Sequence, residues 1–86
     1  MTNASNRRMT SLARVIGSRA FGRGFTSYRE GEPFDPEAFL RTNDQWAYER
    51  GRMFAAYYDG ALRINRRLSW DAQQAAVDAL AHGALI

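Results

Sequence analysis

The sequence predicts an all-α protein, and three observations carry that prediction. Leu12, Ile16, Ala20 and Gly24 recur at four-residue spacing, with Phe21, Phe25 and Tyr28 as a neighbouring stripe. That is the period of a helix and not of a strand. Residue types that open helices stand at Thr10 or Ser11, at Thr42 and at Ser69, each just before a periodic segment. No segment alternates apolar and polar residues for long enough to make a strand. The expected architecture is a helical hairpin with a close-packed crossing of small residues, plus a third C-terminal helix.

Residues 1–9 are polar and carry Arg7 and Arg8, which reads as a flexible basic arm; residues 10–86 then form one three-helix domain. The first helix is expected to start at Thr10 or Ser11 and run to Gly31, with Pro33 confirming the break. The connector follows. Asp35, Pro36 and Glu37 have the order of a cap, a first-turn proline and an acid at the positive end of the helix dipole, so one helical turn is expected through Leu40. Phe34, Phe39 and Leu40 are apolar for a loop and should fold back over the core.

Thr42 and Gln45 have the spacing of a capping box, which opens a second, longest helix ending at Asn65, Arg66 and Arg67. Its apolar residues fall on two faces. Trp46, Met53, Tyr57 and Ile64 make one; Ala47, Gly51, Phe54, Tyr58 and Leu62 make the other. A helix apolar on two sides lies between two neighbours, and Asp59 and Arg63 would pair across one exposed turn. Ser69 caps the third helix, Asp71 lies in its first turn, and Ala72, Ala75, Ala76, Val77 and Leu80 form its small-residue face. Gly83 stops it.

Two glycine-bearing stretches match one another. "AFGRG" (Ala20–Gly24) and "AYERG" (Ala47–Gly51) share the order alanine, aromatic, any residue, arginine, glycine. Glycine in a helix costs roughly 1 kcal/mol against alanine, so its repeated use calls for a compensating contact. Small residues at i and i+4 strip one side of a helix of bulk, which predicts that Gly24 and Gly51 lie where the first two helices cross. The other reading is that Gly22 and Gly24 interrupt the first helix.

Composition removes several function classes. The 86 residues include no cysteine, which excludes disulfides, a thiolate nucleophile and any cysteine-ligated metal. His82 is the single histidine; it has no partner ligand at a metal-binding spacing and reads as an incidental surface residue. The serines have no base placed to activate them, and Glu30, Glu32, Asp35 and Glu37 read as a solvated connector. No glycine-rich phosphate loop of the P-loop type occurs. Neither a catalyst nor a cofactor is expected. No apolar run is long enough to span a membrane, and the N-terminal segment lacks the form of a secretory signal, so a cytoplasmic protein is expected.

The net charge is +3, and all twelve basic residues are arginine. Codon bias in a GC-rich genome gives one reason for the missing lysines. The chemistry is the same either way: a flat five-donor guanidinium suits phosphates, carboxylates and aromatic faces.

The stretch "RAFGRGFTSYREG" (Arg19–Gly31) resembles the first helix of the ribosome modulation factor family. The shared features are Ala20, Gly24, Phe25 and the closing Gly31, then a proline-aromatic connector (Pro33-Phe34 or Pro36) and Gln45-Trp46 opening a second helix. The resemblance spans about residues 19–58. It implies a helical hairpin that associates with RNA or the ribosome without catalysing a reaction.

On that reading the RNA-binding candidates are Arg19, Arg23, Arg50, Arg52, Arg63, Arg66 and Arg67, of which "RINRR" (Arg63–Arg67) is a basic patch without an acid. Arg14 and the Arg7–Arg8 arm would add charge, and Tyr28, Tyr48, Tyr57 and Tyr58 are candidates to stack on unpaired bases. The plainer reading makes the arginines a solvated face balanced by the nine acids, and the tyrosines part of the core. An alternative partner is a host protein, engaged through exposed aromatics such as Trp70 and Tyr58, as in small phage-type inhibitors and adaptors. A homodimer through the alanine face of the third helix is a further option.

Overall fold

The computed structural model describes residues 12–83, and over these the protein is mainly helical. The helical residues 12–16 form α1; α2 spans Arg19–Arg29, α3 Thr42–Tyr57 and α4 Trp70–Ala81, with a two-stranded ribbon, β1 (Arg63–Ile64) and β2 (Arg67–Leu68), between α3 and α4. The N-terminal arm with Arg7 and Arg8, and the expected caps Thr10 and Ser11, lie outside the described residues.

The first predicted helix is split, and at Ser18 rather than at Gly22 or Gly24. The Ser18 hydroxyl donates to the Val15 carbonyl at 2.7 Å and accepts from the Phe21 amide at 3.2 Å. One side chain thereby closes α1 and caps α2. At the other end of α2, Gly31 adopts φ 76°, the left-handed conformation open to glycine. The Gly31 and Glu32 amides then reach back to Tyr28 and Ser27 carbonyls at 3.0 and 2.9 Å. This pair of bonds satisfies two end-of-helix acceptors at once.

Gly22 and Gly24 are both inside α2. Helices α2 and α3 meet in opposite senses, Phe21 at Gly51 and Phe54, Gly24 at Tyr48. A Cβ added at Gly24 would collide with the Tyr48 carbonyl oxygen and come within 2.8 Å of its carbon. One added at Gly51 would collide with the Phe21 carbonyl oxygen and approach its carbon to 2.9 Å. Backbone meets backbone at both points. Beside this crossing Phe21, Phe25, Phe54 and Tyr58 form an aromatic cluster with ring centroids 5.1–6.5 Å apart. Phe21 and Phe54 are fully buried, each contributing about 1.5–3 kcal/mol of transfer free energy.

Further along the chain the structure departs from the expected helices. The connector makes one turn instead of a helical one: the Asp35 carboxylate accepts from the Glu37 amide at 2.9 Å, and nothing propagates beyond it. Phe39 packs on the core and Phe34 stacks on Tyr48, but Leu40 is fully exposed. No capping box forms, because Gln45 is engaged elsewhere. Its amide accepts from Phe39 N–H and donates to the Asp35 carbonyl, both at 3.0 Å, and so pins the connector. Arg41 is the N-cap of α3, without a side-chain bond.

Helix α3 ends at Tyr57, not near Asn65. Tyr58 turns extended, so Asp59 and Arg63 never share a helix face. "RINRRL" instead folds into the antiparallel ribbon, with Ile64 opposite Arg67 and Arg63 opposite Leu68. Asn65 and Arg66 make its two-residue turn at φ 53° and 67°, as a primed hairpin turn requires. The cost of such a backbone is roughly 1–2 kcal/mol for an ordinary side chain.

Only one of the two apolar faces of α3 is covered. Ala47, Gly51 and Phe54 are buried, whereas Trp46, Met53 and Tyr57 are exposed. Ser69 caps α4 as expected, accepting from the Ala72 amide at 3.0 Å. The buried face of α4 is Ala72, Ala76 and Ala79, with Ala75 partly buried and Leu80 exposed. These alanines pack into the same cluster as Ile16, Phe21 and Phe54, so the face expected to serve self-association is used inside the molecule. Gly83, at φ 75°, ends the helix.

The crossing makes a differential prediction. Gly24→Ala and Gly51→Ala should each lower unfolding free energy by about 1–3 kcal/mol or more, because the backbones must separate. At Gly22 an added Cβ would meet only an Arg63 guanidinium nitrogen at 3.4 Å and a Leu62 methyl at 4.0 Å. Gly22→Ala should therefore be neutral or gain up to about 1 kcal/mol of helix propensity. Urea unfolding followed by circular dichroism separates the three; equal effects would contradict the assignment.

Candidate nucleic-acid interface

The arginines divide into those that hold the fold and those that face open space. Arg29 is a strut. Its Nη2 donates to the Tyr58 and Gly60 carbonyls at 2.6 and 2.9 Å, and its guanidinium lies 4.4 Å from the Phe25 ring centre. This ties the end of α2 to the segment leaving α3. Arg52 is another, donating from Nη1 to Ser27 Oγ at 3.1 Å and to the Glu32 carbonyl at 3.0 Å, with its guanidinium 5.6 Å from the Tyr28 ring centre. Arg50 lies over Trp46 at 4.7 Å, with its Nη1 3.6 Å from a Glu49 carboxylate oxygen. Arg50 and Arg52, expected from the sequence to contact RNA, are thus both engaged within the molecule.

The remaining candidates come together in a way the linear sequence does not display. The ribbon folds back beside α2, and a groove of about 770 Å³ opens between them, lined by Arg19, Arg23, Arg63 and Arg66 with Gly17, Gly22, Phe25, Thr26 and Leu62. No carboxylate is in that lining. Arg19 and Arg23 occupy successive turns of α2, so they project along one face. Gly22 leaves room between the helix and the Leu62–Arg63 segment, and Leu62 is buried beneath it.

Two of the four guanidiniums are held. Arg63 Nη2 donates to the Gly17 carbonyl at 3.2 Å, which fastens the ribbon to the α1–α2 junction. Arg23 pairs with Glu32 at 3.3 Å, and both side chains are about half exposed. Such an exposed pair is worth about 0–1 kcal/mol, so Arg23 is readily diverted to a competing anion. Arg19 and Arg66 are exposed and form no ion pair among the described residues. Arg67 is exposed on the ribbon but is outside the lining.

Four convergent guanidiniums above an apolar floor can bind phosphate oxygens, each through two parallel N–H···O bonds. Among the described residues no cluster of His, Asp or Glu could hold a metal ion, and no helix is long and apolar enough to cross a membrane.

The aromatic candidates sit elsewhere. Tyr48 is buried and its hydroxyl accepts from the Asp35 amide at 3.0 Å. Tyr58 stacks on Phe54 at 5.1 Å and donates to the Ala61 carbonyl at 3.2 Å, which leaves little of it for a partner. Tyr57 donates to Asp78 at 3.4 Å, linking α3 to α4, and Tyr28 lies under Arg52. Trp70, by contrast, is 69% exposed at the first position of α4. What the sequence reading missed was Gly17, Gly22, Thr26 and Leu62 as parts of the groove. The available signal was Asn65 within "RINRRL", a two-residue turn between apolar and basic pairs.

The strut assignment predicts that Arg29→Ala and Arg52→Ala each cost about 1–2 kcal/mol of stability through lost charge-assisted bonds. Arg19→Ala should leave the thermal midpoint within about 2 °C, as befits a side chain outside such a network. Thermal melts followed by circular dichroism check this, and an Arg19 variant as damaged as the other two would refute it. No protein-family model matches the chain, and neither a curated protein nor a solved structure matches it.

Proposed function

We propose that this protein is a non-enzymatic RNA-binding protein that grips the sugar-phosphate backbone in the groove between α2 and the β-ribbon. The observation that carries the reading is the convergence of Arg19, Arg23, Arg63 and Arg66 on one groove without a carboxylate in its lining. Basic residues from two stretches of the chain forty or more positions apart converge there, and phosphate is the anion that RNA presents at regular spacing. The likeness of residues 19–58 to the ribosome modulation factor family supports a ribosomal RNA surface as the first partner to try. The helical hairpin made by α2 and α3 is the part of the fold that likeness concerns.

A second reading has its own observation. Trp46, Met53 and Tyr57 are left exposed on α3, and Trp70 on α4, as in a surface that docks on a host protein. The two readings differ in salt dependence. Four phosphate contacts to a single strand give a slope near −2.8 in log K against log salt. Affinity for a single-stranded RNA oligonucleotide should then fall roughly 50-fold between 50 and 200 mM salt. The double variant Arg19→Gln/Arg23→Gln should lose at least about tenfold at low salt while keeping its helical spectrum. Fluorescence anisotropy with a labelled oligonucleotide measures both. Absence of binding at 50 mM salt would reject the RNA reading. Capture of a protein from RNase-treated lysate that depends on Trp70 would favour the second.

A further inference from the structure

We infer that Arg66 is the residue that engages a backbone phosphate at the ribbon side of the groove, and that the turn keeps a strained arginine there for this purpose. This rests on the proposed RNA-binding function and names one contact within it. The second position of a type I′ two-residue turn favours glycine, because both central residues of that turn need positive φ. Asn65 at the first position tolerates that conformation well. Arg66 at the second, at φ 67°, does not.

Nothing in the packing explains its presence. Arg66 is exposed, and no hydrogen bond or ion pair of its side chain is found among the described residues. Yet it lines the groove opposite Arg19 and Arg23 on α2. A strained backbone position held by a side chain without a structural partner is the mark of a site where stability is given up for binding. Two of the three neighbouring arginines serve the fold: Arg63 fastens the ribbon to the Gly17 carbonyl and Arg23 pairs with Glu32. Arg66 makes neither kind of contact, so its conformational cost returns nothing until an anion arrives.

The contact is to phosphate and not to a base. Phe25 is the one aromatic residue in the lining and is itself buried, and the exposed Tyr28, Trp46 and Tyr57 are outside it. A single-stranded RNA bound this way is recognised by its charge spacing, with little preference between sequences.

Replacing Arg66 with glycine or asparagine separates stability from binding, because both fit the turn better than arginine. Arg66→Gly and Arg66→Asn should each raise the thermal midpoint by a few degrees, roughly 2–6 °C. Both should also weaken binding of a labelled oligo(U) and of a mixed-sequence oligonucleotide by similar factors, about three- to tenfold at 50 mM salt. The slope of log K against log salt should shrink by about 0.7, the share of one phosphate contact on a single strand. Arg66→Lys keeps the charge and should keep the slope. Variants that are stabilised but bind with unchanged affinity and slope would overturn the role of Arg66, while a loss in the Arg19/Arg23 double variant would leave the groove itself standing. Variants no more stable than the parent would overturn the strain argument. If the unaltered protein does not bind either oligonucleotide, the RNA reading itself fails.

Discussion

The structure depends on one constraint: the backbones of α2 and α3 touch at Gly24 and Gly51. No side chain intervenes, and even a methyl group at either position would overlap a carbonyl group of the opposite helix. Such proximity lets an 86-residue chain without disulfides bury a full aromatic cluster between two short helices, where small domains are otherwise short of core. It also fixes the angle at which α2 presents its outer face, and therefore where Arg19 and Arg23 point. Intrinsic helicity is lost at the glycines and recovered in the contact they permit.

Around that crossing, arginine does two jobs with one functional group. In Arg29 and Arg52 the planar fork ties together carbonyls and a hydroxyl from separate segments, which an ammonium group would match less well. These struts bring the end of α3 beside α2 and the connector onto the end of α2. The ribbon follows from the first of these, since Tyr58 and Gly60 lead directly into Leu62 and Arg63. Fold and groove are therefore coupled: the residues that close the structure also deliver a second row of arginines to the groove. A composition with arginine as its sole basic side chain suits both uses.

Much of this was legible in the sequence, and the gaps have physical causes. The glycine crossing could be read because two matching stretches, Ala20–Gly24 and Ala47–Gly51, share a helical spacing. Gly31, Ser69 and Gly83 could be read because their roles are local. The split at Ser18 was missed because Ile16 and Ala20 keep helical period straight through it, while one serine hydroxyl serves both helices. The ribbon was missed because two-residue strands are too short to show alternation, and because arginine replaces the glycine that would have signalled the turn. Tertiary competition hid the rest. Thr42 and Gln45 have capping-box spacing, but Gln45 is taken by the connector's Phe39 and Asp35. The groove was half visible: Arg63, Arg66 and Arg67 form a basic patch in the sequence and Arg19 and Arg23 are candidates on the first helix, but the convergence of Arg63 and Arg66 with them depends on the reversal at Tyr58–Gly60. Arg50 and Arg52 looked equivalent to them in sequence and differ only in what they touch.

The most direct test of the central claim is nuclear Overhauser spectroscopy of the full chain at the two glycines. The close approach predicts strong cross-peaks from Gly24 Hα to backbone protons of Tyr48, and from Gly51 Hα to backbone protons of Phe21 and Phe25. Helical amide patterns in both segments without those cross-peaks would show the helices apart, and the account built on their contact would be contradicted.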